Sequence, residues 1–181
     1  MADTAVAFDD ASAYEGFMAR WSRAIGIDFL DWLAPPSGLK WLEIGCGTGV
    51  FTKLLLERCS PSAVAAVDSA PAQIELARTQ LNKQQVDIQV CDAQRLPFAD
   101  ASFDIVASAL VINFIPKRSR ALAEMSRVCR PGGRVTGYVW ILRANVAPAG
   151  RYGSGFPGSA STRRQFRVRR IRVKSRSIVY L

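Results

Sequence analysis

The sequence contains no histidine, and this absence removes several classes of enzyme from consideration. Histidine-based catalytic triads and the usual zinc centres both need imidazole side chains. No C-x-x-C pair is present either, so we expect reduced thiols and not a metal site or a disulfide framework. These thiols belong to Cys46, Cys59, Cys91 and Cys129.

Long apolar runs are also missing, since no stretch approaches the ~20 residues that a membrane span needs. Residues 1–10 are acidic and are not followed by the apolar segment of a signal peptide. We therefore expect a cytoplasmic protein that does not enter a membrane.

Acidic residues disappear after residue 140, although the composition as a whole is ordinary. Residues 1–140 hold 14 basic and 15 acidic residues, whereas residues 141–181 hold 10 basic residues and no acidic one. The net charge of +9 therefore belongs to a basic tail on a near-neutral domain. With 181 residues and 49% hydrophobic residues, the chain is long enough for one domain with a sizeable core.

The most informative stretch is the glycine-rich segment W-L-E-I-G-C-G-T-G-V-F at residues 41–51. An apolar run ends at Gly45, a glycine turn follows, and an amphipathic segment begins at Phe51, which predicts a strand, a tight turn and a helix. Open α/β sheets bind ligands at this place, beyond the carboxyl end of a strand. Gly45 and Gly47 permit positive φ angles and a close approach of a ligand, and Thr48 is a candidate N-cap of the helix.

The spacing of the glycines indicates which ligand to expect. A dinucleotide fingerprint G-x-G-x-x-G would place its third glycine where this chain has Val50. The pattern is instead G-x-G-x-G, with Glu43 two residues before the first glycine. A carboxylate there disfavours a pyrophosphate and suits a cationic ligand. The plain alternative is a glycine-rich turn that binds nothing.

Four further apolar runs follow and predict strands at residues 63–68, 86–91, 105–110 and 135–140, with helical patterns between them. The predicted fold class is α/β, a Rossmann-like, doubly wound and mostly parallel sheet of about five strands. A leading helical segment, expected as a helix pair interrupted at Gly26, precedes the sheet.

Residues 43–49 resemble motif I of the class I S-adenosylmethionine-dependent methyltransferases, and the resemblance to their small-molecule, methyltransferase type 11-like branch extends over residues 14–140. It implies S-adenosyl-L-methionine as cofactor, with the ribose on Asp68 and the adenine beside Asp92. Glu43 would hold the turn or reach the cofactor ammonium through water. Asp68 has a second possible role as N-cap of the helix opened by Pro71. The cofactor-binding residues so implied are Glu43, Gly45, Cys46, Gly47, Thr48, Gly49, Asp68, Ser69, Asp92, Ala93 and Leu110.

The resemblance also implies a small-molecule methyl acceptor, because residues 110–116 lack the Asn/Asp-Pro-Pro-aromatic run of enzymes that methylate nucleobase or amide nitrogens. In that family the leading helix folds over the cofactor pocket, although it could simply cover a sheet edge. No residue is a convincing general base, and Asp104 is expected to be structural. The candidates on the substrate side are Tyr14, Met18, Arg20, Asn113 and Phe114.

The resemblance fails after Trp140, which divides the chain into a core at 1–140 and a basic, low-complexity tail at 141–181. Within the core we expect a helical cap at 1–36 and the sheet at 40–140. Residues 144–161 are expected to be loop or disordered, and the usual C-terminal strands to be missing. Residues 166–173 alternate like a strand, but Arg169 and Arg170 are expected to break it. The abrupt change of composition after residue 140 suggests a frameshift. The alternative is a genuine basic tail.

Two other functions remain open at this point. One is a truncated, inactive domain that binds the cofactor weakly or not at all. The other is an RNA methyltransferase or nucleic-acid binder that uses the ten positive charges of the tail.

Overall fold

Five parallel strands and their connecting helices surround the glycine turn. The structure, a computed structural model, describes residues 11–82, 84–139, 169–173 and 176–180, and the side chains of residues 22–139 except 83. The elements are α1 (Ala11–Leu33), β1 (Lys40–Ile44), α2 (Val50–Cys59), β2 (Ala63–Asp68), α3 (Pro71–Gln80), β3 (Val86–Val90), β4 (Phe103–Ala109), a short 3-10 helix (Ile112–Phe114), α4 (Arg118–Val128), β5 (Cys129–Tyr138), β6 (Arg169–Val173) and β7 (Arg176–Tyr180).

The main sheet has the strand order β3-β2-β1-β4-β5, and all neighbouring strands run parallel. The chain builds outward from β1 to β3 and then returns to the other side of β1 with β4. Such a reversal of strand order opens a crevice at the carboxyl ends of the strands. The predicted α/β fold is confirmed.

The core lies on both faces of this sheet, as expected for parallel strands covered by helices. On one face, Phe29 of α1 packs on Tyr138 of β5, with ring centroids 4.9 Å apart. On the other face, Met125 and Val128 of α4 are buried against Leu42 of β1. Leu42 is paired with both β2 and β4, which makes β1 the centre of the domain.

The leading segment is one continuous helix, so the predicted break at Gly26 is wrong. A Cβ atom at Gly26 would lie 2.8 Å from Cδ2 of Leu54 in α2. The glycine is therefore needed for the close approach of α1 to α2 and does not interrupt the helix. Within the described residues, neither this helix nor any other is long and apolar enough to cross a membrane.

The fifth strand begins earlier than predicted, at Cys129, directly after α4. Cys129 pairs with Phe103, but the next pair is Arg134 with Ile105, so β5 bulges between them. The bulge contains Gly132, whose φ of 77° lies in the left-handed region that favours glycine.

Two short strands lie in the basic tail, β6 and β7, and they pair antiparallel with each other. The prediction that Arg169 and Arg170 break a strand is wrong, because β6 begins at Arg169. Cα atoms of β7 approach those of β5 to within 8 Å, although the two are not hydrogen-bonded as one sheet. Residues 144–161, predicted to be loop or disordered, lie outside the described residues.

Candidate functional site

A crevice of about 240 Å³ opens at the carboxyl ends of β1 to β4. Its position is the one that the strand order β3-β2-β1-β4 defines. Six of the candidate site residues line it directly: Gly45, Asp68, Ser69, Asp92, Ala93 and Phe114. The lining consists of Ile44, Gly45, Val67, Asp68, Ser69, Cys91, Asp92, Ala93, Gln94, Val111, Phe114, Ile115 and Pro116.

Gly45, the first glycine of the turn, lines the crevice next to β1. Gly45, Gly47 and Gly49 all have positive φ angles, of 74°, 53° and 89°. A Cβ at Gly45 would lie 2.4 Å from Cγ1 of Val111, so only glycine fits there. At Gly47 the nearest atom to such a Cβ is Oε1 of Gln73, at 3.7 Å, which leaves room. The backbone angle alone therefore requires glycine at position 47.

Gly49, and not Thr48, is the N-cap of α2, so the predicted capping role of Thr48 is wrong. Thr48 is buried and makes no capping hydrogen bond. Gly49 adopts the left-handed conformation at the start of the helix. A Cβ at this position would also lie 2.9 Å from Cδ1 of Leu81, which is a second reason for glycine there. Neither Thr48 nor Gly49 lines the crevice.

Asp68 lies at the carboxyl end of β2 and connects the glycine turn to α3. Its Oδ2 accepts a hydrogen bond from the backbone N–H of Gly47, and its Oδ1 accepts one from that of Ala70, both at 2.9 Å. Ala70 itself is the N-cap of α3, so neither Asp68 nor Ser69 holds that position. A carboxylate has about four lone-pair sites, so two remain for a ligand in the crevice.

Asp92 follows β3 and exposes its carboxylate to the crevice. Its Oδ1 accepts the backbone N–H of Gln94 at 2.8 Å, and the Gln94 amide donates to both carboxylate oxygens at 3.1 Å. Sequence reasoning missed Gln94, because a half-buried glutamine four residues after a strand carries no signal by itself. Ala93 lines the crevice beside it.

Glu43 lies beneath the turn and not in the crevice, with a relative exposure of 1%. Its Oε2 accepts a hydrogen bond from the Thr52 hydroxyl of α2 at 2.5 Å. Burial raises the pKa of Glu43 to about 8, and the nearby Asp68 carboxylate adds to this rise. The expectation that Glu43 presents a carboxylate to a cationic ligand is wrong, because Glu43 is buried and does not line the crevice. Of its two predicted roles, holding the turn is the one its contact favours.

The segment after β4 forms the other wall of the crevice. Phe114 lines it and is half exposed, at 52%. Leu110 and Asn113 do not line it: Leu110 is buried with φ 64°, and Oδ1 of Asn113 is buried without a hydrogen-bond partner in the described part of the chain. Val111, Ile115 and Pro116 line the crevice but were not among the candidates, because apolar residues that follow a strand carry no signal of a binding site by themselves.

Three predicted substrate-side residues fall on the first half of α1. The backbone places Tyr14, Met18 and Arg20 in that helix, but their side chains lie outside the described part, so their role stays a prediction. The buried Cys46 has a raised pKa, chiefly because of burial, and does not line the crevice.

Asp104 has the structural role that the sequence predicts. Its carboxylate accepts the backbone N–H of Lys40 at 2.7 Å and a hydrogen bond from the guanidinium of Arg130. The bond from Lys40 and that from Arg130 lower the pKa of Asp104. It thereby joins the starts of β1, β4 and β5.

A glycine turn at the reversal of a parallel sheet, with carboxylates at the carboxyl ends of the next two strands, defines the class of Rossmann-like ligand-binding domains. Comparison with known families narrows this class. The family model described as "Methyltransferase domain" matches residues 42–136, and the chain belongs to that family.

Individual relatives agree with this assignment. The chain is 38% identical over 131 residues to the biotin biosynthesis bifunctional protein BioHC of Cellvibrio japonicus, covering 72% of this chain and 26% of that protein. It is 34% identical over 129 residues to the malonyl-[acyl-carrier protein] O-methyltransferase of Serratia marcescens, covering 71% and 49%. The chain thus spans half or less of the length of these two relatives.

Among solved structures, a SAM-dependent methyltransferase from Aquifex aeolicus superposes with a TM-score of 0.59 at 20% identity. The match covers 67% of this chain and 68% of that one. At this identity the likeness concerns the fold.

Proposed function

We propose that this domain binds S-adenosyl-L-methionine in the crevice and transfers its methyl group to a small-molecule acceptor. The observation that carries the proposal is the arrangement of Asp68 and Asp92, which lie at the carboxyl ends of the adjacent parallel strands β2 and β3 and line one crevice with Gly45. Membership of the methyltransferase domain family supports the same reading.

Each part of the site suits a different part of the cofactor. Asp68 keeps two lone-pair sites free for the two hydroxyls of a ribose. Asp92 offers an acceptor for an exocyclic amino group, with the backbone of Ala93 beside it. The bare backbone of Gly45 lets the methionine part lie close to the end of β1.

When bound, the cofactor supplies a methyl group already activated by the adjacent sulfonium. The residues of this chain then have to orient the acceptor in line with the methyl group and exclude water, for which no strong acid or base is needed. Val111, Phe114, Ile115 and Pro116 give the acceptor side an apolar wall. An acceptor with an apolar body next to its nucleophilic atom fits this wall. The Serratia marcescens relative is named as an O-methyltransferase, which makes oxygen the first atom to test.

Calorimetry with S-adenosyl-L-methionine and with NAD tests the first half of the proposal. We expect saturable binding of the former and none of the latter, and binding of NAD alone would overturn the assignment. A turnover assay with apolar hydroxy and carboxylic acids, reading the release of S-adenosylhomocysteine, tests the second half. Cofactor binding without turnover on any acceptor would favour the inactive-domain alternative.

A further inference from the structure

One face of α4 holds the loop that leads from β3 to β4. Arg120, Glu124 and Arg127 are spaced four and three residues apart, which places them on the same side of the helix. All three contact the backbone of residues 94–101. We call these three side chains the α4 clamp.

Arg127 makes the largest number of these contacts. Its Nη1 donates to the carbonyl oxygen of Phe98 at 2.8 Å, and its Nη2 donates to that of Leu96 at 3.0 Å. Nη1 also bonds the Asp100 carboxylate at 2.8 Å. A guanidinium can serve several acceptors at once because its donors lie in a fixed planar fork.

Glu124 completes the grip on the same loop. Its two oxygens accept from Nε and Nη2 of Arg127 at 2.7 and 2.8 Å, and its Oε2 also accepts the backbone N–H of Leu96 at 2.8 Å. The hydrogen bonds from Arg127 lower the pKa of Glu124 and keep it ionised. Leu96 is thus held through both its N–H and its carbonyl group.

Arg120 extends the clamp to the crevice. Its Nε donates to the carbonyl oxygen of Gln94 at 3.0 Å. Gln94 in turn donates to Asp92 through its backbone and its side chain. A continuous series of hydrogen bonds therefore runs from the outside of α4 to a carboxylate that faces the crevice.

We propose that the α4 clamp fixes the orientation of the Asp92 carboxylate. The site thereby prefers a purine base that carries an amino group over one that carries a carbonyl oxygen at the same position. The inference rests on the proposed binding of the cofactor's adenine beside Asp92. The three clamp residues are positioning residues, since none of them lines the crevice. A carboxylate held in place accepts from an amino group and repels a carbonyl oxygen.

The test measures the dissociation constant of S-inosylhomocysteine divided by that of S-adenosylhomocysteine. In the inosyl compound a carbonyl oxygen replaces the 6-amino group, and N1 of the base becomes a hydrogen-bond donor. The ratio of the two constants does not depend on the fraction of protein that is folded, so a general loss of stability leaves it unchanged. Arg127→Met keeps an unbranched apolar side chain about as long as the aliphatic part of arginine and removes its five donors. Arg120→Met removes the bond to Gln94 and a positive charge near Glu124, and leaves the contacts of Arg127 in place. Remote residues that bias a site typically change affinity by about 2- to 30-fold, and we expect the ratio to fall by this much in Arg127→Met and in the same direction in Arg120→Met.

Arg118→Met is the matched control, because Arg118 is on the same helix and makes no side-chain hydrogen bond or ion pair within the described residues. Its ratio should equal that of the wild type. If Arg127→Met does not fold, Arg120→Met decides, since this side chain is at the surface. A wild-type ratio retained in every folded clamp variant would overturn the inference alone. A wild-type protein that binds neither compound would overturn the proposed function and the inference with it.

Discussion

Replacing Glu43 by glutamine should stabilise the protein at pH 8 and leave its stability nearly unchanged near pH 4. The carboxyl is 1% exposed, and burial raises its pKa from 4.5 to about 8. Between these values the unfolded chain loses the proton while the folded chain keeps it, so stability falls as the pH rises. Below pH 4.5 the carboxyl is protonated in both states, and above about pH 8 it is ionised in both. The loss of stability therefore grows only between these two pH values and stays constant above them.

The size of the effect follows from the width of the window. At about 1.4 kcal/mol per pH unit, the shift sets an upper bound of about 5 kcal/mol at pH 8. Structural relaxation reduces such penalties, and we expect Glu43→Gln to gain at least about 1 kcal/mol there. Glutamine is neutral at every pH and can still accept the hydrogen bond from the Thr52 hydroxyl.

Urea unfolding at pH 4, 6, 7 and 8 measures the difference between variant and wild type directly. Glu57→Gln serves as the control, because that carboxylate is at the surface and pairs with Arg23 at 2.9 Å. Its difference from wild type should not grow towards pH 8. If Glu43→Gln is no more stable than the wild type at pH 8, the protonated, buried state of Glu43 is refuted.

Three further predictions concern the site and the tail. Asp68→Ala should weaken binding of S-adenosyl-L-methionine by about 1–3 kcal/mol, as calorimetry would show. The substitution also removes the bonds to Gly47 and Ala70, so a melting curve should establish that the variant is folded. An unchanged dissociation constant would remove Asp68 from the site. Gly45→Ala should lower the melting temperature more than Gly47→Ala, because only a Cβ at position 45 meets Val111. Adding Val111→Ala should restore part of the stability that Gly45→Ala loses. Equal melting temperatures for the two glycine variants would contradict this packing. Limited proteolysis should cleave rapidly within residues 141–165 if the tail is a frameshift product, whereas a protected tail whose removal unfolds the domain would exclude that origin.

The sequence was sufficient for the fold because its signals are local. The apolar run into Gly45, the alternation at 86–90 and the Pro71 helix start each depend on a few neighbouring residues, and each corresponds to an observed element. Asp68 and Asp92 could be placed beside one crevice because parallel strands end at a common edge.

The errors concern properties that arise only through packing. Gly26 looks like a helix breaker until α2 is placed against it. The charge of Glu43 depends on burial that one strand cannot reveal. The predicted strand at 105–110 ends one residue earlier, at Ala109, because Leu110 has a positive φ that a leucine seldom adopts.

The strand order has a consequence for how the domain is made. Synthesis delivers β1, β2 and β3 first, so one half of the crevice, with Asp68 and Asp92, can assemble while the chain that forms the other wall is still in the ribosome. During that interval the edge of β1 that later pairs with β4 carries unpaired backbone N–H and C=O groups. Leu42 and Ile44 also lack the residues of α4 that later cover them. The nascent domain is then most exposed to wrong pairing along its central strand, and the arrival of residues 103–128 ends that period.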